Sequence, residues 1–295
     1  MAEGLIVKAL SGFYYVQSEH ALFQCRGRGN FRKRNIKPLV GDRVRFEAEN
    51  ETDGYVLEVF PRTNELNRPP IANIDQALLV FSAEEPEFSS QLLDRFLVHI
   101  EFHQIEPVII ISKIDLLTEQ QLQSIKAYQH DYQNIGYRLV LTSMNDQESV
   151  QQVIPLLEGK VSVVAGQSGV GKSSLLNAIN PEFTIETAQI SAHLGRGKHT
   201  TRHVELLPVG TGLVADTPGF SSLDFTAVKA EQLTFLFPEI AEMAARCKFR
   251  GCSHTSEPNC AVLEAVEASE ILPYRYQHYV QFLDEIKSKK RRYDS

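Results

Sequence analysis

Val161-Ser162-Val163-Val164-Ala165-Gly166-Gln167-Ser168-Gly169-Val170-Gly171-Lys172-Ser173-Ser174-Leu175-Leu176 decides how this chain folds. The first five residues have the apolar, β-branched pattern of a buried strand, and Ser173 opens a stretch with helical spacing. Between them Gly166, Gly169 and Gly171 let backbone N–H groups turn inward around an anion, and the helix start adds its partial positive charge. At this spacing Lys172 reaches the terminal phosphate oxygens of a nucleotide, and the Ser173 hydroxyl is offered to Mg2+. Gln167, Ser168, Val170 and Ser174 complete the candidate phosphate contacts. A glycine-rich turn with no ligand is the competing reading, and the strand-then-helix context argues against it. A second apolar strand leads into Asp216-Thr217-Pro218-Gly219, where Asp216 would join the Mg2+ shell and the Gly219 N–H would meet the terminal phosphate. A plain Pro-Gly turn is the alternative there.

With 295 residues and 43% hydrophobic content, the chain is long enough for two or three domains with real cores. No run of eighteen apolar residues occurs, and the N-terminus lacks a basic segment followed by a long apolar core, so neither membrane spanning nor secretion is expected. The formal net charge is -7, but it is unevenly spread. Between Gln24 and Arg45 stand Arg26, Arg28, Arg32, Lys33, Arg34, Lys37, Arg43 and Arg45 against Asp42 alone, and the C-terminal tail is basic again from Lys287 to Arg292. An acidic body with a basic N-terminal face points to phosphate-backbone contacts, for which Arg26, Arg28, Arg32, Lys33 and Arg34 are the candidates. A solvated charged loop is the bland alternative, and helix-dipole complementarity alone would account for the basic tail.

Residues 1 to about 60 alternate short apolar runs with Gly and Asn turns, which predicts a small all-β barrel, and the interleaved basic and aromatic residues fit an OB-fold. Arg62 to Ile74 reads as a linker stiffened by Pro69-Pro70. Beyond Asp75, apolar runs alternate with amphipathic stretches as in a doubly wound α/β domain. Strands are expected at Gln76–Ser82, Pro107–Ile111, Tyr137–Leu141, Val161–Ala165, His203–Leu207 and Gly212–Ala215, with helices at Gln91–His103, Glu119–Tyr132 and Ser173–Asn180. Near the C-terminus Cys247, Cys252, His254 and Cys260 offer three thiolates and one imidazole from a Gly/Pro/Asn-punctuated loop. That set fits a structural, tetrahedral Zn2+ with no open position. Unligated thiols are the competing reading, and Cys25, remote from the rest, reads as a lone thiol. The final stretch, Tyr274 to Arg292, has helical character.

Ser112-Lys113-Ile114-Asp115, at the end of an expected strand, resembles the Asn-Lys-x-Asp element by which GTPases read guanine. Asp115 would accept from two N–H groups on the guanine edge, which adenine does not offer, and Lys113 would lie across the ring. Ser112 departs from the pattern: a hydroxyl is expected to lack the reach of an amide to base and P-loop. Thr142 and Ser143, after the next strand, are further guanine contacts by analogy.

The order of these parts carries as much as the parts. The guanine-type turn precedes the P-loop and Asp216 comes last, whereas ordinary GTPases begin with the P-loop, so the domain reads as circularly permuted. A basic barrel, a permuted GTPase domain and a Cys3His cluster together resemble the RsgA (YjeQ/YloQ) family of small-ribosomal-subunit biogenesis GTPases, and the match covers essentially the whole chain. The resemblance implies an OB-fold RNA-binding domain over 1–66, a circularly permuted GTPase domain over 67–222 and a mainly helical zinc-binding domain over 223–295. It further implies a cytoplasmic, monomeric enzyme that uses GTP/GDP with Mg2+ and one structural Zn2+, whose partners are the 30S ribosomal subunit and 16S rRNA, with no membrane. Phe220 stands where Ras-like enzymes place a water-orienting Gln, and the resemblance assigns that task to His199 and a Mg2+ contact to Thr201, with Thr200 adjacent. Two other classes stay open from the residues alone: a P-loop ATPase or kinase of metabolism, and an RNA-binding protein with a structural nucleotide site.

Overall fold

A computed structural model of the chain describes residues 1–19, 21–29, 31, 36–180, 204–216 and 223–293. The first five strands are β1 (Ala2–Leu10), β2 (Phe13–Ser18), β3 (Ala21–Gly27), β4 (Arg43–Ala48) and β5 (Gly54–Val59). They pair in the cyclic order 1-2-3-5-4-1, antiparallel except for the parallel β3–β5 contact. This closed five-stranded arrangement is that of an OB-fold. Ile6, Val16, Cys25, Val44, Phe46 and Val56 fill its interior because alternate strand positions point inward. Burial raises the Cys25 thiol to a pKa of about 11, so it is held as a packed, protonated side chain.

The expected linker is more structured than its prolines suggested. It holds a hairpin of β6 (Glu65–Asn67) and β7 (Pro70–Ala72), with Arg68 and Pro69 at the turn. Arg62 anchors it to the barrel: its Nε and Nη2 donate to the two carboxylate oxygens of buried Asp42 at 2.7 and 2.8 Å. Such a two-point contact between planar groups fixes orientation as well as distance.

The α/β sheet contains β8 (Gln76–Ser82), β9 (Glu106–Ser112), β10 (Arg138–Leu141), β11 (Val161–Ala165), β12 (Glu205–Val209) and β13 (Gly212–Asp216). The spatial order is β10-β9-β8-β11-β13-β12, parallel except for β12. Every residue of β8 is buried, as the uninterrupted run Ala77-Leu-Leu-Val-Phe81 requires for a strand covered on both faces. Around it lie α1 (Ser90–Phe102), α2 (Glu119–Ile135), α3 (Gln147–Gln151), α4 (Ile154–Leu157) and α5 (Lys172–Ile179). Thr118 and Gln121 form a capping box at the start of α2, and Gly136 ends it in the left-handed region, so the sequence signals both boundaries. β12 also pairs antiparallel with β1 at Lys8↔Glu205, so the barrel and the α/β sheet are one continuous ladder.

The C-terminal part has its own core, in which Phe225, Phe237, Ile240, Tyr279, Phe282 and Leu283 are buried among α6 (Ala230–Leu233), α7 (Pro238–Ala244), α8 (Ala261–Glu267) and α9 (Pro273–Tyr293). It docks on α1 and α2 through buried charge. Arg275, 1% exposed, donates to Asp94 through Nη1 and to Glu239 Oε1 through Nε at 2.7 Å. Asp94, 0% exposed, also accepts from Tyr132 Oη at 2.6 Å and meets His278 Nδ1 at 2.6 Å. With those partners in place the charges are compensated, and removing one leaves a buried ion alone. Asp94→Ala should therefore lower the unfolding free energy by about 3–5 kcal/mol in a denaturant titration followed by circular dichroism. A loss below about 1 kcal/mol, the range of a surface pair, would contradict this account.

Candidate functional site

In a parallel sheet the ligand crevice opens where successive strands leave in opposite directions, at the carboxyl ends of the strands. Here the chain runs from β8 outward to β9 and β10 and then returns to β11 on the other side of β8. The P-loop follows β11, Ser112 ends β9, Thr142 follows β10 and Asp216 ends β13, so four separate segments arrive on one edge of the sheet.

Gly166 begins the loop with φ +145°, and a Cβ there would lie 2.0 Å from the Val80 carbonyl oxygen. No side chain fits that close pass over β8, which makes this glycine obligatory. Gly169 and Gly171 take φ +84° and +93°, and Gly171 is the N-cap of α5. The backbone thus curls around the start of the helix, where its partial positive charge is greatest. Lys172 folds over the loop and donates to the carbonyls of Gly166 and Gln167, the former at 2.9 Å. Burial lowers the pKa of this ammonium from the ordinary lysine value, so an anion beside it would relieve the cost of holding the charge there.

The expectation for Ser112 needs correcting. Its hydroxyl does reach the P-loop: Oγ lies 2.6 Å from the Val170 carbonyl and 3.1 Å from that of Phe81. The reason is the parallel register, which sets Ser82 beside Ser112 and brings β9 within a side chain's length of the loop. Lys113 adopts the left-handed conformation at φ 60°, and its ammonium donates to the Glu85 carbonyl. Asp115 is exposed and accepts from Asn145 Nδ2 at 2.8 Å. Thr142 and Ser143 are buried, and Thr142 ties to the guanine-type strand by its N–H to the Ile111 carbonyl at 2.8 Å. Lys113, Asp115, Thr142 and Ser143 therefore lie together at the ends of β9 and β10, and Ser112 joins that group to the P-loop. Asn145 and Glu85 were missed, because neither belongs to a spaced motif. Asp216 is the last residue of β13, while Gly219, His199 and Thr201 lie outside the described residues.

The second site is the Cys3His cluster. Cys247, Cys252 and Cys260 Sγ and His254 Nδ1 all lie within 4.8 Å of one another. The Cys247–Cys260 and Cys252–Cys260 sulfur separations are 3.8 and 3.6 Å, and His254 Nδ1 lies 3.6 and 3.4 Å from Cys247 and Cys260. A tetrahedron built with Zn–S bonds of about 2.3 Å has sulfur edges of about 3.8 Å, so the set fits that ion. The loop is shaped from outside. Tyr276 and Tyr279 donate to the carbonyls of His254 and Ser253 at 2.8 and 3.1 Å, and the Glu257 carboxylate accepts from the N–H groups of Ser253, Thr255 and Ser256. Burial alone would raise the Glu257 pKa, but the hydrogen bonds from Ser253 and its neighbours overcome it and hold the carboxyl well below the ordinary range.

On the barrel, Phe13, Arg26 and Tyr55 are cross-strand neighbours on β2, β3 and β5. The Arg26 guanidinium lies 5.0 Å from the Phe13 ring centroid, a basic-aromatic row of the kind that stacks bases. Arg28 is paired with Glu47 at 2.6 Å, and Arg32, Lys33 and Arg34 lie outside the described residues.

A five-stranded barrel, a parallel sheet whose glycine-rich loop comes only after β8, β9 and β10, and a Cys3His loop define a circularly permuted GTPase. Residues 3–56 match the RsgA N-terminal domain model and residues 59–226 the RsgA GTPase model. The chain belongs to the RsgA GTPase family. It is 65% identical over 292 residues to the small ribosomal subunit biogenesis GTPase RsgA of Halalkalibacterium halodurans, covering 99% of each chain. It is 62% identical over 293 residues to the protein of that name from Bacillus anthracis, covering 99% of this chain and 100% of the other. The crystal structure of YloQ, a circularly permuted GTPase, matches with a TM-score of 0.86 at 54% identity, covering 98% of this chain and 96% of that one. YjeQ from Thermotoga maritima matches with a TM-score of 0.86 at 37% identity, covering 97% and 98%.

Because four side chains of metal-ligating type sit at tetrahedral spacing on the C-terminal loop, a chelator should lower the thermal midpoint of the chain, and added Zn2+ should restore it. Cys260→Ser should abolish stoichiometric zinc retention, measured by atomic absorption. Full retention in that variant would exclude Cys260 as a ligand.

Proposed function

We propose that this chain binds and hydrolyses GTP on the small ribosomal subunit late in its assembly, and that the particle stimulates hydrolysis. The observation that carries the reading is the convergence of the Ser112–Asp115 turn and the P-loop on one crevice, with Asp115 on the base side and Lys172 on the phosphate side. The near full-length match to relatives named for small-subunit biogenesis supports the choice of particle.

In this reading the P-loop N–H groups and Lys172 hold the phosphates, and Asp115 accepts from the guanine edge. Ser173, Asp216 and Thr201 would supply hard oxygen donors for Mg2+, which when bound would offset negative charge on the phosphates. With Phe220 in place of a water-orienting amide, His199 positions the attacking water. The barrel contacts 16S rRNA through Arg26, Arg28, Arg32, Lys33 and Arg34, with the Phe13–Arg26–Tyr55 row available for stacking. The Cys3His loop holds one structural Zn2+, and the enzyme works as a cytoplasmic monomer.

Turnover of GTP and of ATP, each measured with and without purified 30S subunits, tests the proposal. GTP hydrolysis should rise many-fold with the particle and ATP hydrolysis should not. Particle-independent ATP turnover would point to a metabolic ATPase, and rRNA binding with no turnover to a structural nucleotide site. Lys172→Ala should weaken GTP binding about a hundredfold, since it removes a partly buried charge from its partner. His199→Ala should keep GTP affinity and lower turnover about a hundredfold; normal turnover would remove His199 from the mechanism.

A further inference from the structure

Thr142-Ser143-Met144-Asn145 turns back from the end of β10 toward the Ser112–Asp115 turn, and one side chain crosses the gap between them. Asn145 Nδ2 donates to Asp115 Oδ2 at 2.8 Å. An ionised carboxylate only accepts, so the amide must present its N–H here and not its oxygen. Asn145 is itself held in place: its backbone N–H donates to Ser143 Oγ at 3.0 Å. The Ser143 N–H in turn donates to Ser149 Oγ at 3.0 Å, and Ser149 Oγ lies 2.7 Å from the Asp146 carbonyl. Ser143 and Ser149 are buried, so a short chain of hydrogen bonds runs from the first turn of α3 to the exposed Asp115 carboxylate.

Ser112 explains why this contact matters. A hydroxyl has one proton, and that of Ser112 faces two backbone carbonyls, the nearer being Val170 on the P-loop at 2.6 Å. The tethering half of an asparagine's work is thus done by Ser112, and no donor of that side chain is left for a base. Recognition of the guanine edge falls to Asp115, an exposed side chain that would otherwise lose rotamer freedom on meeting its ligand. The Asn145 bond engages one lone pair of Oδ2 and leaves both oxygens able to accept.

We infer that Asn145 is a positioning residue for guanine: it holds the Asp115 carboxylate in the orientation that meets the two N–H groups of the base. The inference rests on the guanine reading of Asp115. Because Asn145 is exposed, its variants keep the packed core intact.

The test is binding of GDP and ADP to the full chain, with GTP kinetics in parallel. Asn145→Ala should weaken GDP about tenfold, the size of a hydrogen bond to a charged group, with the loss appearing in KM more than in kcat. Asn145→Asp has the same shape but sets carboxylate against carboxylate, so it should bind GDP more weakly than Asn145→Ala, and the difference should shrink in high salt. Asn145→Gln keeps the donor and should recover most of the affinity. In an Asp115→Ala background, Asn145→Ala should add nothing further. Asn145→Asp binding as well as the unsubstituted protein, or an undiminished Asn145→Ala effect without Asp115, would overturn the inference. If the unsubstituted chain does not prefer GDP over ADP, the guanine reading falls with it; if it does and the variants match it, the inference falls alone.

Discussion

The parallel ladder between β8 and β11 is the constraint on which the rest of the molecule depends. Gln76 to Leu79 pair with Ser162 to Ala165, and both strands are covered on two faces. In a permuted chain these two strands belong to different halves of the domain, since two strands and their helices intervene. Their pairing brings the turns after β9 and β10 to the glycine-rich loop after β11. It also sets the pass of Gly166 over Val80, where any side chain would force the ladder apart. Truncating a buried Leu or Ile in this region would cost about 2–5 kcal/mol in packing, and it would misplace both halves of the crevice as well.

Around that ladder the domains are joined by contacts that differ in kind. The barrel is tied by backbone pairing, with Lys8 and Glu205 opposite each other and their side chains 2.8 Å apart. The half-buried, solvent-reached ion pair adds little by itself, whereas the shared hydrogen bonds set the register. The hairpin after the barrel is held through Arg62 and Asp42, and the C-terminal helices through Arg275, Asp94 and Glu239. In both places an arginine fork enters a buried carboxylate site, a geometry that tolerates one orientation and few others.

Much of this was legible in the sequence for a local reason. The glycine-rich loop from Gly166 to Lys172 and the Cys3His cluster from Cys247 to Cys260 are each written within a few residues, so both announce themselves by spacing. β8 and β11 were expected with the bounds they have, because strands buried on both faces are uninterrupted apolar runs. The β1–β12 pairing had no such signal: each strand looks complete alone, and register between domains leaves no local trace. Asp94 and Arg275 lie in helical patterns where a charge ordinarily marks the solvated face. Pro69-Pro70 read as a stiff spacer because proline's fixed φ is equally at home in an extended linker and a tight turn. The reach of Ser112 depended on its distance from Val170, a property of the register and not of residue type. Asn145 was invisible because its role is defined by what lies opposite it.

The shared ladder between barrel and α/β sheet has a thermodynamic corollary. Lys8 on β1 faces Glu205 on β12, and Glu205 in turn faces Asp216 on β13. Three residues from three strands thus form one row, from the barrel to the carboxyl end of β13. A ligand that favours one setting of the barrel strands and one that favours one setting of Asp216 act on the two ends of that row. To the extent that the row moves as a unit, each must change the other's affinity by the same factor. The coupling then has no direction of its own, and which end commands is decided by whichever ligand is present in excess.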